Sequence, residues 1–309
     1  MSPGSARALV LYYHRVSDDP EDPFSLAVTP ANFQDHLDVM CELADVVPAR
    51  QIVDGRFHRR RRAHVAVTFD DGYRDNYVVA APQLRAAGLP ATFFVTTSVL
   101  QPDHEFWWDR LARIVGSPRS ASRHLTVTVG SCTVTADVGN VAARRRALTA
   151  LRNRLYTLPV DVISGVLAEI DVRDGDSSAR PREGEFLTPG DLARLRELPG
   201  VEVGSHAVSH VRLAGQSLQL QKTEIEGSQR RLAAACGEPV DLFAYPYGDR
   251  GSYDRRTLRL VRSRYRAAFT TDHGPVGWWT DPRRVPRYRV GNWNADEFRR
   301  EFRCWLGAQ

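Results

Sequence analysis

Two adjacent carboxylates, Asp70 and Asp71, directly follow an apolar run that ends at Phe69, and Gly72 comes next. Two like charges at the end of a buried strand are unfavourable unless a cation or solvent compensates them. Asp-Asp-Gly is also good turn chemistry. On its own, this segment therefore supports a metal site and a plain turn equally.

Two histidines, His206 and His210, follow the apolar run 201–204 and are four residues apart. On a helical turn this spacing puts both rings on one face, where they can chelate one cation. Histidine pairs at this spacing are more often incidental, so the pair alone is weak evidence. Two histidines and one aspartate nevertheless suit Zn²⁺ or a similar ion, and three protein ligands leave positions open for water and substrate.

A third polar segment, Phe-Ala-Tyr-Pro-Tyr-Gly at residues 243–248, also ends an apolar run. It is either a strand followed by an ordinary turn or a wall of backbone and aromatic groups beside the metal. Tyr245 and Tyr247 are the aromatic residues of that wall. All three segments thus place polar groups where a strand ends.

Short apolar runs separated by helical patterns must position these groups. The helical patterns begin at Thr29-Pro30, cover residues 76–87 before Gly88, and cover about 218–235 before Gly237. Alternating strands and helices imply parallel pairing with right-handed crossovers, and therefore an α/β fold. The runs interpreted as buried strands are residues 8–13, 65–69, 91–97, 201–204, 242–245 and 267–271.

The stretch from about residue 101 to 186 breaks this rhythm. We interpret it as a largely helical insertion that forms a lid, with hairpin character at 124–134, helix at 144–170 and a polar loop at 171–184. Trp108 lies in an aromatic cluster near its start. Clustered tryptophans either pack in a core or offer a flat wall for a sugar ring.

Composition excludes several classes of protein. The chain has 309 residues and a formal net charge of +5, and its four cysteines form no CxxC pair, which argues against a thiolate zinc site. The arginine runs 59–62 and 144–146 lack interleaved aromatic residues, so nucleic-acid binding is not expected. The apolar run 8–13 is too short for a signal peptide, and no run approaches the ~20 apolar residues that span a bilayer. We therefore expect a cytoplasmic protein without stable membrane insertion.

The three motifs, in this order, resemble the polysaccharide deacetylases with a NodB-type homology domain, carbohydrate esterase family 4. The resemblance covers residues 8 to about 290 apart from the insertion. It implies one domain over residues 1–309, folded as a distorted (β/α) barrel of seven strands. It also implies a site at the carboxyl ends of the strands, which is where the motifs lie.

The resemblance assigns roles to the motif residues. Asp70 corresponds to the catalytic base, and Asp71, His206 and His210 correspond to the ligands of one divalent metal ion. Zn²⁺ is the first choice, with Co²⁺, Ni²⁺ and Mn²⁺ as alternatives. Tyr247 corresponds to the tyrosine whose backbone N–H helps to hold the oxyanion. The division is reasonable because a carboxylate tied to a cation is too acidic to act as a base.

Two departures from the family pattern concern the arginine that braces the base and the histidine that acts as the acid. Ala244 stands where the family usually has the arginine, and Arg287 is the candidate replacement. The late Leu-x-x-His motif is absent. Tyr13 and His14 are similar to the early Tyr-His motif of the branch that includes the poly-N-acetylglucosamine deacetylases, in which the histidine serves as the acid. The resemblance therefore makes His14 the candidate acid, and His273 is the alternative candidate. Either histidine could instead have a purely structural role.

The resulting functional prediction is hydrolysis of the N-acetyl group of a free, carrier-linked or polymeric amino sugar, with release of acetate. Tyr73, Trp108 and Tyr245 are the predicted contacts to the sugar. A non-catalytic carbohydrate-binding module on the same fold is one alternative. An O-acetyl esterase or a deacetylase of a non-sugar amide is another. The oligomeric state and the identity of the sugar are left open.

Overall fold

The structure is a computed structural model that describes residues 8–19, 22–55, 62–116, 124–129, 132–173 and 184–307. Two compact units are present. The first comprises Met1–Pro20, Ser25–Gln101 and Gly184–Gln309, and the second comprises Glu21–Phe24 and Pro102–Glu183. Most of the arginine run 59–62 and of the predicted polar loop 171–184 lies outside the described residues.

Strands and helices alternate through most of the first unit. In chain order, the strands of the described residues are β1 (Ala8–Tyr13), β2 (Arg15–Val16), β3 (Ala27–Val28), β4 (Ala44–Val46), β5 (Ala63–Phe69), β6 (Ala91–Val95), β7 (His124–Val129), β8 (Cys132–Asp137), β9 (Val201–Ser205), β10 (Leu242–Ala244), β11 (Ala267–Phe269) and β12 (Tyr288–Arg289). The α-helices are α1 (Pro30–Leu43), α2 (Ala49–Val53), α3 (Ala81–Ala86), α4 (Trp107–Gly116), α5 (Val141–Leu155), α6 (Val160–Arg173), α7 (Pro189–Arg196), α8 (Leu218–Cys236), α9 (Arg255–Arg264) and α10 (Ala295–Leu306).

Among the described residues the main sheet has eight parallel strands: seven lie in the order β11-β10-β9-β6-β5-β1-β12, and β4 pairs with β5 outside this order. β1 and β5 are paired along their whole common length, from Ala8 opposite His64 to Tyr13 opposite Phe69. Because all pairs are parallel, every carboxyl end lies at one edge of the sheet. The predicted α/β fold with a seven-stranded distorted barrel is confirmed.

The segment that leads into β12 connects the two edges of this curled sheet. On one side, Val285 N–H donates to Ala268 O at 2.8 Å and Thr270 N–H donates to Val285 O at 2.9 Å, next to β11. On the other side, Tyr288 pairs with Leu11 of β1. Residues late in the chain are thereby brought next to both β1 and β11.

Two predicted helix caps agree with the structure, and one predicted helix differs from it. Thr29 caps α1 by accepting from Asn32 N–H, and α8 ends at Gly237, whose φ of 69° is left-handed. The pattern over 76–87 predicts one regular helix, but a π-helical turn over Asn76–Ala80 precedes α3. Pro82 explains this difference, because its missing amide hydrogen interrupts regular helical hydrogen bonding.

The second unit contains α4, the antiparallel β7–β8 hairpin, α5 and α6. Its interior includes Trp107, Leu111, Leu148 and Leu151, all largely buried. The role of this stretch as a lid remains a prediction. Across the described ranges, none of the helices has both the length and the apolar character that crossing a bilayer requires.

Candidate active site

Four strand ends supply the chemistry-bearing residues of the site. His14 follows β1, Asp70 and Asp71 follow β5, His206 follows β9, and Tyr247 lies just beyond β10. These strands lie side by side or one strand apart in the parallel sheet, so their carboxyl ends converge. This is the edge at which barrel enzymes hold their active sites.

Asp71, His206 and His210 come together with one ligand atom each, all within 4.8 Å of one another. Asp71 Oδ1 lies 3.4 Å from His206 Nε2 and 3.3 Å from His210 Nε2. On its far side, His206 Nδ1 lies 2.8 Å from the carbonyl oxygen of Ala244, which orients the ring. All three side chains are buried. Such an outer hydrogen bond is typical of metal-binding histidines.

The donor set fits a divalent cation. Asp71 Oδ1 is buried, and among the described residues no group lies in hydrogen-bonding geometry to it. Burial opposes ionisation of Asp71, but its contacts with His206 and His210 outweigh burial and hold its pKa well below the usual range. A buried, ionised oxygen that faces two imidazole nitrogens without a well-aligned hydrogen bond is a suitable ligand for a cation. Two imidazoles and one carboxylate suit Zn²⁺ and similar ions.

Asp70 is held by a buried arginine rather than by the histidines. Arg287 Nη1 donates to Asp70 Oδ1 at 2.8 Å, and Nη2 donates to Oδ2 at 2.7 Å. Burial alone would raise the pKa of Asp70, but the charge and the hydrogen bonds of Arg287 contribute to overcoming it, so the pKa is lowered. Asp70 is therefore a fixed, ionised carboxylate beside the three candidate ligands.

The orientation of Arg287 is determined on several sides. Its Nε–H donates to Thr270 O at 2.9 Å and its Nη1 donates to Thr68 Oγ1 at 3.2 Å. Its guanidinium carbon also lies 4.7 Å from the centre of the Tyr12 ring, and the side chain is fully buried. Arg287 thus puts a guanidinium against Asp70, whereas position 244 carries only the small side chain of Ala244.

The two candidate acids lie in different surroundings. His14 is partly buried and lies close to Asp71 and Asp70. Burial lowers its pKa, and this effect outweighs the two carboxylate charges, which raise it. Its backbone carbonyl accepts from Asn76 Nδ2 at 2.8 Å. His273 is exposed, and its ring lies 5.5 Å from that of Tyr288. The structure therefore brings His14, and not His273, to the carboxylates.

Left-handed backbone conformations concentrate at the site. Asp71, Ala207, His210 and Tyr247 have φ values of 76°, 64°, 55° and 64°. Such conformations are unfavourable for residues other than glycine and persist where the surrounding structure enforces them. The Tyr247 ring meets that of His210 edge-on, with ring centres 4.6 Å apart. The site is thus built from turns that the rest of the fold must hold.

The structure places the three predicted sugar contacts in the interior. Tyr73 is fully buried and stacks on Phe186, and Tyr245 is fully buried with its hydroxyl donating to the carbonyl of Arg283. Trp108 is 6% exposed. None of these rings presents a face to solvent in this conformation, so all three pack in the interior here, and their contact with a sugar stays a prediction.

Sequence reasoning missed the residues that hold the turn after β1. Asp75 Oδ1 accepts from Val16 N–H at 3.1 Å and Oδ2 accepts from Arg15 Nε–H at 2.9 Å, while the neighbouring Asn76 holds His14. Their position directly after the Asp-Asp-Gly-Tyr segment is the one available signal. It does not reveal that they contact His14, just after β1, and the two residues of β2.

Comparisons with known proteins agree with this geometry. The family model described as polysaccharide deacetylase matches residues 58–158 and 166–266, more than half of the chain. Among solved structures, the deacetylase PplD of Streptococcus pyogenes, in complex with acetate, has 18% identity and a TM-score of 0.61 over 95% of this chain and 96% of that chain. IcaB from Ammonifex degensii has 19% identity and a TM-score of 0.62 over 99% of this chain and 98% of that chain. Both share the fold.

One curated relative matches a short stretch. An uncharacterized protein of Streptomyces coelicolor is 39% identical over 72 residues, which are 23% of this chain and 27% of that protein. The match thus spans about a quarter of the relative's length.

Proposed function

Because the chain belongs to the polysaccharide deacetylase family, as the order of its motifs predicted, we propose that it is a metal-dependent hydrolase that removes the N-acetyl group of an acetylated amino sugar. The amino sugar is free, carrier-linked or part of a polymer. The observation that carries the proposal is the convergence of Asp71, His206 and His210 beside an arginine-held Asp70. The products are acetate and the free amine.

Asp71, His206 and His210 are the residues that would hold the ion. Zn²⁺ is the first choice for this donor set, with Co²⁺, Ni²⁺ or Mn²⁺ as alternatives. When bound, the ion supplies Lewis-acid polarisation of the acetyl carbonyl and lowers the pKa of the attacking water. Both histidines must be neutral to act as ligands, and the contact from His206 Nδ1 to the Ala244 carbonyl leaves Nε2 facing Asp71.

Asp70 is the proposed general base. Its carboxylate is ionised and oriented by Arg287, so it can accept a proton from the water as the carbon–oxygen bond forms. The backbone N–H of Tyr247 is the proposed donor to the oxyanion of the tetrahedral intermediate. As the carbon–nitrogen bond breaks, His14 in its protonated form delivers a proton to the departing amine, and the proton that Asp70 took from the water then restores that form.

The non-catalytic alternative loses its main support in this arrangement. Two departures from the family pattern favour it, the missing arginine at Ala244 and the missing late histidine, but Arg287 provides the buried guanidinium from another segment. A binding module has no need of an ionised carboxylate held beside three ligand atoms. The Asp70–Arg287 pair therefore favours an enzyme over a carbohydrate-binding module.

Acetate release from a panel of N-acetylated sugars tests the proposal, together with elemental analysis of the purified protein. We expect about one divalent ion per chain. Asp70→Asn should keep the metal and lose ~10²–10⁴-fold in rate, whereas His206→Ala should lose both metal and activity. His124→Ala changes an exposed histidine of the hairpin and serves as the control.

The outcomes separate the alternatives. Normal turnover by Asp70→Asn would refute the assignment of the base. Faster release from O-acetyl sugars would identify an esterase instead. A protein that binds N-acetylated sugars but releases no acetate, with metal present, would be a carbohydrate-binding module.

A further inference from the structure

The loop that carries the two histidine ligands, residues 206–210, is strained at two points. Ala207 and His210 both have left-handed φ values, 64° and 55°. Neither residue is a glycine, so this loop conformation is unfavourable in isolation. Contacts from other parts of the fold must therefore hold the loop if both rings are to face Asp71.

One side of the loop is held through its carbonyl groups. Three consecutive carbonyls, of residues 206–208, accept hydrogen bonds from Thr96 Oγ1 at 3.0 Å, Thr97 N–H at 3.1 Å and Ser98 N–H at 2.8 Å. This segment follows β6, the neighbour of β9 in the sheet. The carbonyl side of the loop is thereby tied to the barrel.

The other side of the loop is held by a single buried carboxylate. Glu224 Oε2 accepts from Val208 N–H and from Ser209 N–H, both at 2.9 Å, and its Oε1 accepts from Ser209 Oγ–H at 2.6 Å. Glu224 lies on α8 and is 2% exposed. Two successive N–H groups that converge on one anion form a backbone nest, here filled by the chain's own carboxylate.

We propose that Glu224 is a positioning residue for the metal centre, which holds the loop between His206 and His210 in the conformation that binds the ion. This inference rests on the proposed function only in assuming that the three ligands bind a metal. Its hydrogen bonds are charge-assisted and buried, so they are among the stronger ones available to the loop. Groups that orient metal ligands from behind typically contribute 10–100-fold to metal affinity.

Two substitutions at Glu224 test whether its hydrogen-bond acceptors hold the loop. In Glu224→Gln the amide oxygen can still accept from both backbone N–H groups, and the hydroxyl of Ser209 can rotate to accept from the amide nitrogen. In Glu224→Ala both N–H groups lose their partner. We expect metal affinity to fall ~10–100-fold in Glu224→Ala and less than tenfold in Glu224→Gln. Ser209→Ala removes one of the three hydrogen bonds, so its metal affinity should lie between that of wild type and that of Glu224→Ala.

Glu226→Ala is the matched control. It lies two residues further along α8, removes the same charge, and contacts Arg264 and Arg230 instead of the loop. Each full-length protein is titrated with Co²⁺ in competition with a chromophoric chelator, which gives the dissociation constant, and the visible Co²⁺ spectrum reports the ligand geometry. Thermal unfolding of the metal-free proteins is measured in parallel, so that a simple loss of fold stability is recognised.

The expected result is weaker binding and an altered Co²⁺ spectrum in Glu224→Ala, with rescue in Glu224→Gln and wild-type behaviour in Glu226→Ala. Equal Co²⁺ affinity and an unchanged spectrum in folded Glu224→Ala would overturn the inference, while the proposed function would stand. Should Glu224→Ala not fold, wild-type Co²⁺ affinity together with an unchanged spectrum in folded Ser209→Ala would overturn it as well. A wild-type protein that binds no divalent ion would instead contradict the proposed function.

Discussion

Arg287 offers the sharpest test of how the site is built. Its guanidinium is fully buried and makes a two-pronged ion pair with Asp70 at 2.7 and 2.8 Å. Arg287→Met removes the charge and keeps much of the apolar stem. The carboxylate of Asp70 then remains buried without its counter-ion. Removing one partner of such a pair destabilises a protein by ~3–5 kcal/mol, and we expect that loss in the free energy of unfolding.

The catalytic effect should pass through Asp70. Loss of orientation and charge at the base is expected to lower the rate by ~10²–10⁴-fold. If Arg287 acts only by holding Asp70, the double variant Asp70→Asn/Arg287→Met should be no slower than Asp70→Asn. The double variant should lose less free energy of unfolding than the two single variants lose together. We expect the difference to be ~0.5–3 kcal/mol, because the buried charge without a partner is gone.

The assay is urea unfolding combined with acetate release, for wild type, both single variants and the double variant. Metal concentration is kept constant, because a ligand that binds only the folded state adds to stability. Arg287→Lys is the conservative control, because it keeps a charge but not the paired geometry. Its free energy of unfolding and its rate of acetate release should lie between those of wild type and Arg287→Met. Additive losses in both stability and rate would refute the coupling of Arg287 to Asp70.

Two further predictions concern histidines. His14→Ala should lower the rate of acetate release by ~10²–10⁴-fold, whereas His273→Ala, which changes an exposed ring, should leave it near wild type; the reverse pattern would move the acid role to His273. For His36, burial outweighs the contact with the Trp293 carbonyl and lowers the pKa from 6.5 to about 4. The unfolded chain therefore takes up this proton first as the pH falls, and the free energy of unfolding should drop by ~3 kcal/mol from pH 6.5 to 4. Urea unfolding at several pH values should show that the free energy of unfolding depends less on pH in His36→Gln than in wild type. Equal pH dependence in the two proteins would contradict the assignment of this effect to His36.

The burial of two aromatic residues shows what the sequence of a motif leaves undetermined. Tyr73 and Tyr245 lie in or next to functional motifs, and the motif context predicted that they contact the sugar. Successive side chains of a strand point to opposite faces, so closeness in sequence to a catalytic group does not determine the face on which a ring lies. In the fold, both rings are fully buried. Which face is the interior depends on the packing of the neighbouring elements.

The origin of the guanidinium beside Asp70 shows a second limit. Arg287 and Asp70 are 217 positions apart, and sequence alone offered Arg287 only as a candidate. The contact depends on the segment before β12, which inserts between β11 and β1 and brings Arg287 to the carboxyl end of β5. The same holds for Glu224, whose contacts with the loop at 208 and 209 come from the packing of α8.

The amino-acid sequence by itself determined the fold class and the residues that end the strands. Apolar runs that alternate with helices require a parallel sheet, and parallel strands put Asp70, Asp71 and His206 at one edge. The tertiary structure alone decided which distant groups orient those residues and which nearby rings are interior. Local patterns follow from the backbone of a few residues, whereas contacts such as that of Arg287 follow from strand order, register and helix packing.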